Sequence, residues 1–175
     1  MKISKSTFLT AALLLTLLIS NFSGAESAAQ SVPKTSPGAL VAQLYRESAG
    51  NRSPFFQTRN RARVNKYFDK QLGDLIWKDA IRSKGEVGAI NGDPLYNAQD
   101  MKIKSFVIQK ANVVKASAGN TAAVVAEVKV NFENFGKKEE IVFILRPGIG
   151  GSGWKIANIK YHDGTDLVGI LKSGN

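Results

Sequence analysis

Residues 122–132 read AAVVAEVKVNF, and their alternation decides the fold class. Ala122, Val124, Ala126, Val128, Val130 and Phe132 fall on one side of an extended chain. Glu127, Lys129 and Asn131 fall on the other, and Glu133 continues the polar side. Such a strand predicts a sheet buried on one face and largely wet on the other. At about a dozen residues it exceeds the common five or six, which favours a bent sheet wrapped around a helix.

Further strand signals flank it. Lys102 to Val114 is rich in β-branched and aromatic residues, and Ala118-Gly119-Asn120 turns the chain into the central strand. Asn134-Phe135-Gly136 turns it out again. Glu139 to Arg146 is apolar on both faces from Ile141 to Leu145. Pro147 to Gly153 carries four glycines and joins two strands without opening a helix, so it reads as a hairpin loop and not as a phosphate cradle. Trp154 to Tyr161 is the fourth strand, closed by Asp163-Gly164, and Leu167 to Leu171 forms a short last helix.

Upstream the period changes to that of helices. Ser36-Pro37 supplies an N-cap and a first-turn proline, and Leu40, Val41, Leu44, Tyr45 and Ser48 recur on one face until Gly50-Asn51. Asn51 to Thr58 is a loop broken by Pro54, with Thr58 placed to cap a second helix. That helix carries Val64, Tyr67 and Phe68; after Gly73 a third stretch carries Leu75, Ile76, Ala80 and Ile81. Gly85 to Tyr96 is a long connection. Helices followed by an antiparallel meander specify an α+β class: N-terminal helices packed on a curved four-stranded antiparallel sheet, within one domain over residues 37–175.

The chain begins with an export pattern. Lys2 and Lys5 precede the apolar run from Phe8 to Ile19, too short for the roughly 20 residues of a spanning helix. Small residues then allow cleavage after Ala25 or Ala29, so residues 1–25 are expected to be a signal peptide, 26–36 a flexible leader, and the protein periplasmic or secreted. Cysteine is absent, which excludes disulfides, thiolate nucleophiles, thiolate metal sites and a lipidated cysteine. Net charge is +10, falling to +8 when Lys2 and Lys5 leave with the signal peptide. That balance favours anionic partners such as an envelope polymer or an acidic protein. The exported location and the lack of interleaved aromatics argue against nucleic acid.

Gly92-Asp93-Pro94-Leu95, Ala98-Gln99-Asp100, Tyr67-Phe68 with Leu72, and Gly153-Trp154-Lys155-Ile156 with Ile159 together resemble the bacterial family termed domain of unknown function 3828. The likeness spans roughly residues 38–172. It implies membership of the nuclear-transport-factor-2-like superfamily, a cone of cystatin-like α+β architecture, and an exported envelope protein. It implies no activity.

Candidate site residues fall into two groups. Inside a cone, Tyr45, Tyr96, Asp93, Asp100 and His162 could line a ligand pocket, where burial would raise a carboxyl pKa and permit proton transfer. Against this, Asp93 precedes a proline at a turn and Asp100 precedes a strand, where such side chains bond nearby backbone. His162 is the only histidine, so no metal and no cofactor are expected, and no strand-to-helix nucleophile elbow is present. On the surface, Arg59, Arg63, Lys66 and Lys70 are spaced to form one basic stripe if they share a helix. Phe55 and Phe56 either tuck under the domain or offer a patch to a partner. The sequence therefore favours a binding or inhibitor-type module without catalysis, with a small-molecule binder or acid–base enzyme as the alternative.

Overall fold

The computed structural model describes residues 33, 35–49, 52–84, 86–118 and 121–174, with the backbone alone at 115–118, 121 and 122. The expected signal peptide, most of the leader, and the breaks at Gly50-Asn51 and Gly119-Asn120 lie outside the described residues. The elements are α1 (Pro37–Ser48), α2 (Arg61–Tyr67), α3 (Lys70–Arg82), β1 (Ile103–Ile108), β2 (Asn112–Ala118), β3 (Thr121–Asn134), β4 (Lys137–Pro147), β5 (Trp154–Tyr161) and α4 (Leu167–Ser173). They form an α+β protein with an open antiparallel sheet.

β3 organises the sheet as its alternation requires. Val124, Ala126, Val128, Val130 and Phe132 are all buried, while Lys129 is exposed and Glu127 and Asn131 are half-buried. β3 turns into β4 through Phe135 and Gly136, both at positive φ, the two-residue geometry that matches strand twist. β5 follows on the far side of β4.

The sheet has five strands where four are expected. The run from 102 to 114 is not one strand but two, β1 and β2, laid end to end along the same side of β3. Lys104 pairs with Glu133 and Val107 with Asn131, so one extra residue bulges there, with Ser105 at φ +52. A second extra residue falls between the pairs Ile108–Val130 and Asn112–Glu127. Each insertion bends the strand and breaks its ladder.

Two helix boundaries also differ from expectation. Thr58 does not cap α2; the Asn60 side chain accepts from Arg63 N at 3.2 Å and starts the helix later. Gly73 does not separate helices. It lies buried inside α3, which begins at Lys70 because the Asp69 carboxylate accepts from Leu72 N at 2.8 Å. Between α2 and α3 the chain is extended: Phe68 pairs with Ile156 on β5, and Asp69 N donates to Ile156 O at 2.9 Å. The start of β5 is thus sealed by the α2–α3 junction and its end by the Lys160–Asp166 bridge that leads into α4.

The helices bury their apolar faces on the sheet. Val41, Leu44, Val64, Tyr67, Leu72, Ile76, Leu167 and Leu171 meet Val128, Phe143, Leu145, Ile156 and Ile159 in one continuous cluster. Among the described residues no helix is long and apolar enough to cross a membrane.

Candidate functional site

A continuous apolar cluster packs between the helices and the sheet. Tyr45 on α1 is buried among rings, with centroids 5.5 Å from Tyr96, 4.9 Å from Phe106 and 5.9 Å from Phe143, all edge to face. Its hydroxyl donates to Leu95 O at 2.7 Å, and burial pushes its pKa well up. Tyr96 is half-buried and packs on Phe132. Its pKa is raised by burial and then by the nearby Asp93 carboxylate. Asp93 is half-buried; desolvation raises its pKa while the hydrogen bond from Leu95 N at 2.8 Å opposes the rise. A cavity of about 230 Å³ lies beside Asp93 and Tyr161, walled by Ile90, Leu167 and Ile170.

The other two pocket candidates are elsewhere. Asp100 is exposed, and it is its backbone carbonyl that accepts from Asn134 Nδ2 at 3.2 Å. His162 is exposed on the turn after β5, beside Asn97 and Asp163. Of the expected interior set, the fold brings Tyr45 and Tyr96 together and leaves Asp100 and His162 at the surface. Among the described residues no group of three or more His, Asp or Glu could hold a metal ion.

The two phenylalanines divide. Phe55 is buried in a short 3-10 turn, its ring 5.2 Å from that of Phe68, whereas Phe56 is 40% exposed. The basic residues divide too. The single helical stripe does not form, because α2 ends at Tyr67 and the chain runs extended through Phe68 and Asp69. Arg59 precedes the helix, Arg63 and Lys66 lie on α2, and Lys70 opens α3. Lys66 donates to Glu47 at 2.6 Å, and that bond, with the neighbouring Tyr67 hydroxyl, holds the Glu47 pKa down to about 2. Lys70 and Arg61 share Asp74, whose pKa is lowered first by the Lys70 bond.

The break that dissolves the stripe builds a groove instead. Its volume is about 520 Å³, and it lies between the α2–α3 junction and the β4–β5 hairpin. Arg61 and Lys70 come from the helices; Arg146 and Lys155 come from the strands. Phe68, Ala123, Val124 and Pro147 supply apolar wall, and Ile149 stands at the rim 88% exposed. The N-terminus of α3 adds its partial positive charge on the same side, tempered by the capping Asp69. Desolvation lowers the pKa of Lys155, whose ammonium donates to Asn65 O at 2.7 Å and Lys66 O at 2.8 Å.

Arg146 and Lys155 escape a reading based on charge runs, since nine positions separate them. The signal that could have found them is hairpin register: closing the loop with Pro147 opposite Trp154 sets Arg146 opposite Lys155. No model of a known protein family, no curated protein and no solved structure matches the chain.

Proposed function

We propose that this protein is an exported, non-catalytic binding module for an anionic component of the cell envelope. The observation that carries this reading is the groove: Asp74, which also lines it, pairs with Arg61 and Lys70, whereas Arg146 and Lys155 have no carboxylate partner among the described residues. The basic net charge supports it by long-range attraction. Export rests on the N-terminal sequence pattern, and the nuclear-transport-factor-2-like cone on the resemblance and on helices packed against an open antiparallel sheet.

The test is retention on immobilised dextran sulfate along a salt gradient. Arg146→Gln with Lys155→Gln should elute at clearly lower salt than a control that removes two distant charges, Lys102→Gln with Lys110→Gln. Equal shifts in the two pairs would mean diffuse charge and not a site.

One observation favours a second reading, an acid–base enzyme: Asp93, its pKa raised by burial, lines a cavity of about 230 Å³ together with Tyr161, whose pKa is raised by burial and then by that carboxylate. Loss of a discovered turnover in Asp93→Asn, with the fold intact, would establish it.

A further inference from the structure

Arg146 and Lys155 are direct cross-strand partners on β4 and β5, and both line the groove. Like charges set opposite each other on one face of a sheet repel and destabilise it. An anion between them removes that cost. Hydrogen-bond capacity points the same way. An ammonium has three protons, and Lys155 uses two, on Asn65 O and Lys66 O. A guanidinium has five, and none of those of Arg146 meets an acceptor among the described residues. Both residues therefore present unassigned donors to the same space, a geometry suited to the paired oxygens of a carboxylate or phosphate.

The remainder of the groove is mixed, with Asp69, Gln71 and Asp74 lining it beside an apolar wall. Phe68, Val124 and Pro147 are buried beneath it, and Ile149 projects into solvent at its rim from a hairpin loop whose Gly150, Gly151 and Gly153 all have positive φ. Ile149 adds an exposed apolar side chain next to that wall, a surface that the apolar part of a ligand could cover. A volume of about 520 Å³ is that of a small-molecule site.

We propose that the groove binds a small amphiphilic anion, with its acid head between Arg146 and Lys155 and its apolar body along Phe68, Val124 and Pro147 toward Ile149. This inference rests on the anionic-ligand reading of the same site and adds the ligand's class.

The experiment is calorimetric titration of the protein purified from the envelope of an expressing bacterium. The probes are decanoate, decyl phosphate, inorganic phosphate and neutral decyl maltoside, each below its micelle-forming concentration. One or both acids should bind with one-to-one stoichiometry. Which of the two binds more tightly tells a carboxylate head from a phosphate head. Arg146→Gln should weaken that binding at least about tenfold, the scale of a charge-assisted hydrogen bond. Lys155→Met, which keeps the apolar stem, should do the same, and Ile149→Ser should weaken the decyl acids while leaving inorganic phosphate unchanged. Failure of both acids to bind, unchanged affinity in the exposed-residue variant Arg146→Gln, or equal binding of decyl maltoside would overturn the proposal. Retention on dextran sulfate that still depends on Arg146 and Lys155 would then leave the envelope-polymer reading standing by itself.

Discussion

The buried Asp79 carboxylate fills the space where Gly88 would carry a side chain: a Cβ on Gly88 would lie 2.6 Å from Asp79 Oδ2. Asp79 is 3% exposed, accepts from Ala89 N at 2.9 Å and Ile90 N at 3.3 Å, and is met by Arg82 at 2.8 Å. One carboxylate thus pins the connection after α3 back onto that helix.

Gly88→Ala should therefore destabilise the protein by roughly 1–3 kcal/mol, the usual cost of forcing atoms into an occupied site. Asp79→Ala should cost about as much or more, because it strands two backbone donors. Chemical denaturation measures both. A neutral Gly88→Ala would show that the connection is free to move away.

Tyr45→Phe removes one buried hydrogen bond, to Leu95 O at 2.7 Å, and keeps the aromatic packing. The expected loss is about 1 kcal/mol. Proton exchange at residues 92–98 should quicken in the variant, since this bond ties that segment to α1. Unchanged exchange there would show that packing alone holds the segment.

Arg146→Gln should raise the stability of the ligand-free protein by a few tenths to 1 kcal/mol, by relieving the like-charge pair with Lys155. Thermal melting at low salt measures it, and added salt should shrink the gain. A loss of stability would point to an ion pair for Arg146 in solution.

Acid should weaken the protein partly through Glu47. Its pKa is depressed from 4.5 to about 2 in the fold, so the fold favours its ionised form. That contribution is complete above pH 4.5 and is lost as pH falls toward 2. Lys66→Met should make the melting temperature less sensitive to pH across this window. An identical acid profile in the variant would remove the Glu47–Lys66 bond as a cause.

Asp93 works with the opposite sign. A carboxyl raised by burial binds its proton more tightly in the fold than in the unfolded chain, so stability rises as pH falls through the raised value toward 3.8. Asp93→Asn keeps an acceptor for Leu95 N and should match or exceed wild-type stability at pH 7 while flattening that rise. A large loss at pH 7 would mean that the charge itself is held by the fold.

Much of the fold is legible in local pattern. The alternation from Val124 to Phe132, the Phe135-Gly136 turn, the bounds of β5 and the start of α1 at Pro37 follow from period and turn chemistry between near neighbours. The breaks were less legible. Lys102 to Val114 has strand composition throughout, yet two residues are squeezed out of the ladder because the paired length of β3 is shorter. Arg59, Arg63, Lys66 and Lys70 keep helical spacing, yet Phe68 is drawn out of the helix to pair with Ile156, a residue far along the chain.

The sequence by itself determined which segments are apolar on one side and which residues carry charge, because side-chain period and ionisation are local properties. It thereby determined an α+β protein with a basic surface. Tertiary structure alone decided which charges meet. Strand register set Arg146 beside Lys155, the pairing of Phe68 with β5 turned a would-be stripe into one wall of a groove, and packing left Asp100 and His162 outside the interior that holds Tyr45. These are contacts between residues distant in sequence, fixed by how buried faces fit together.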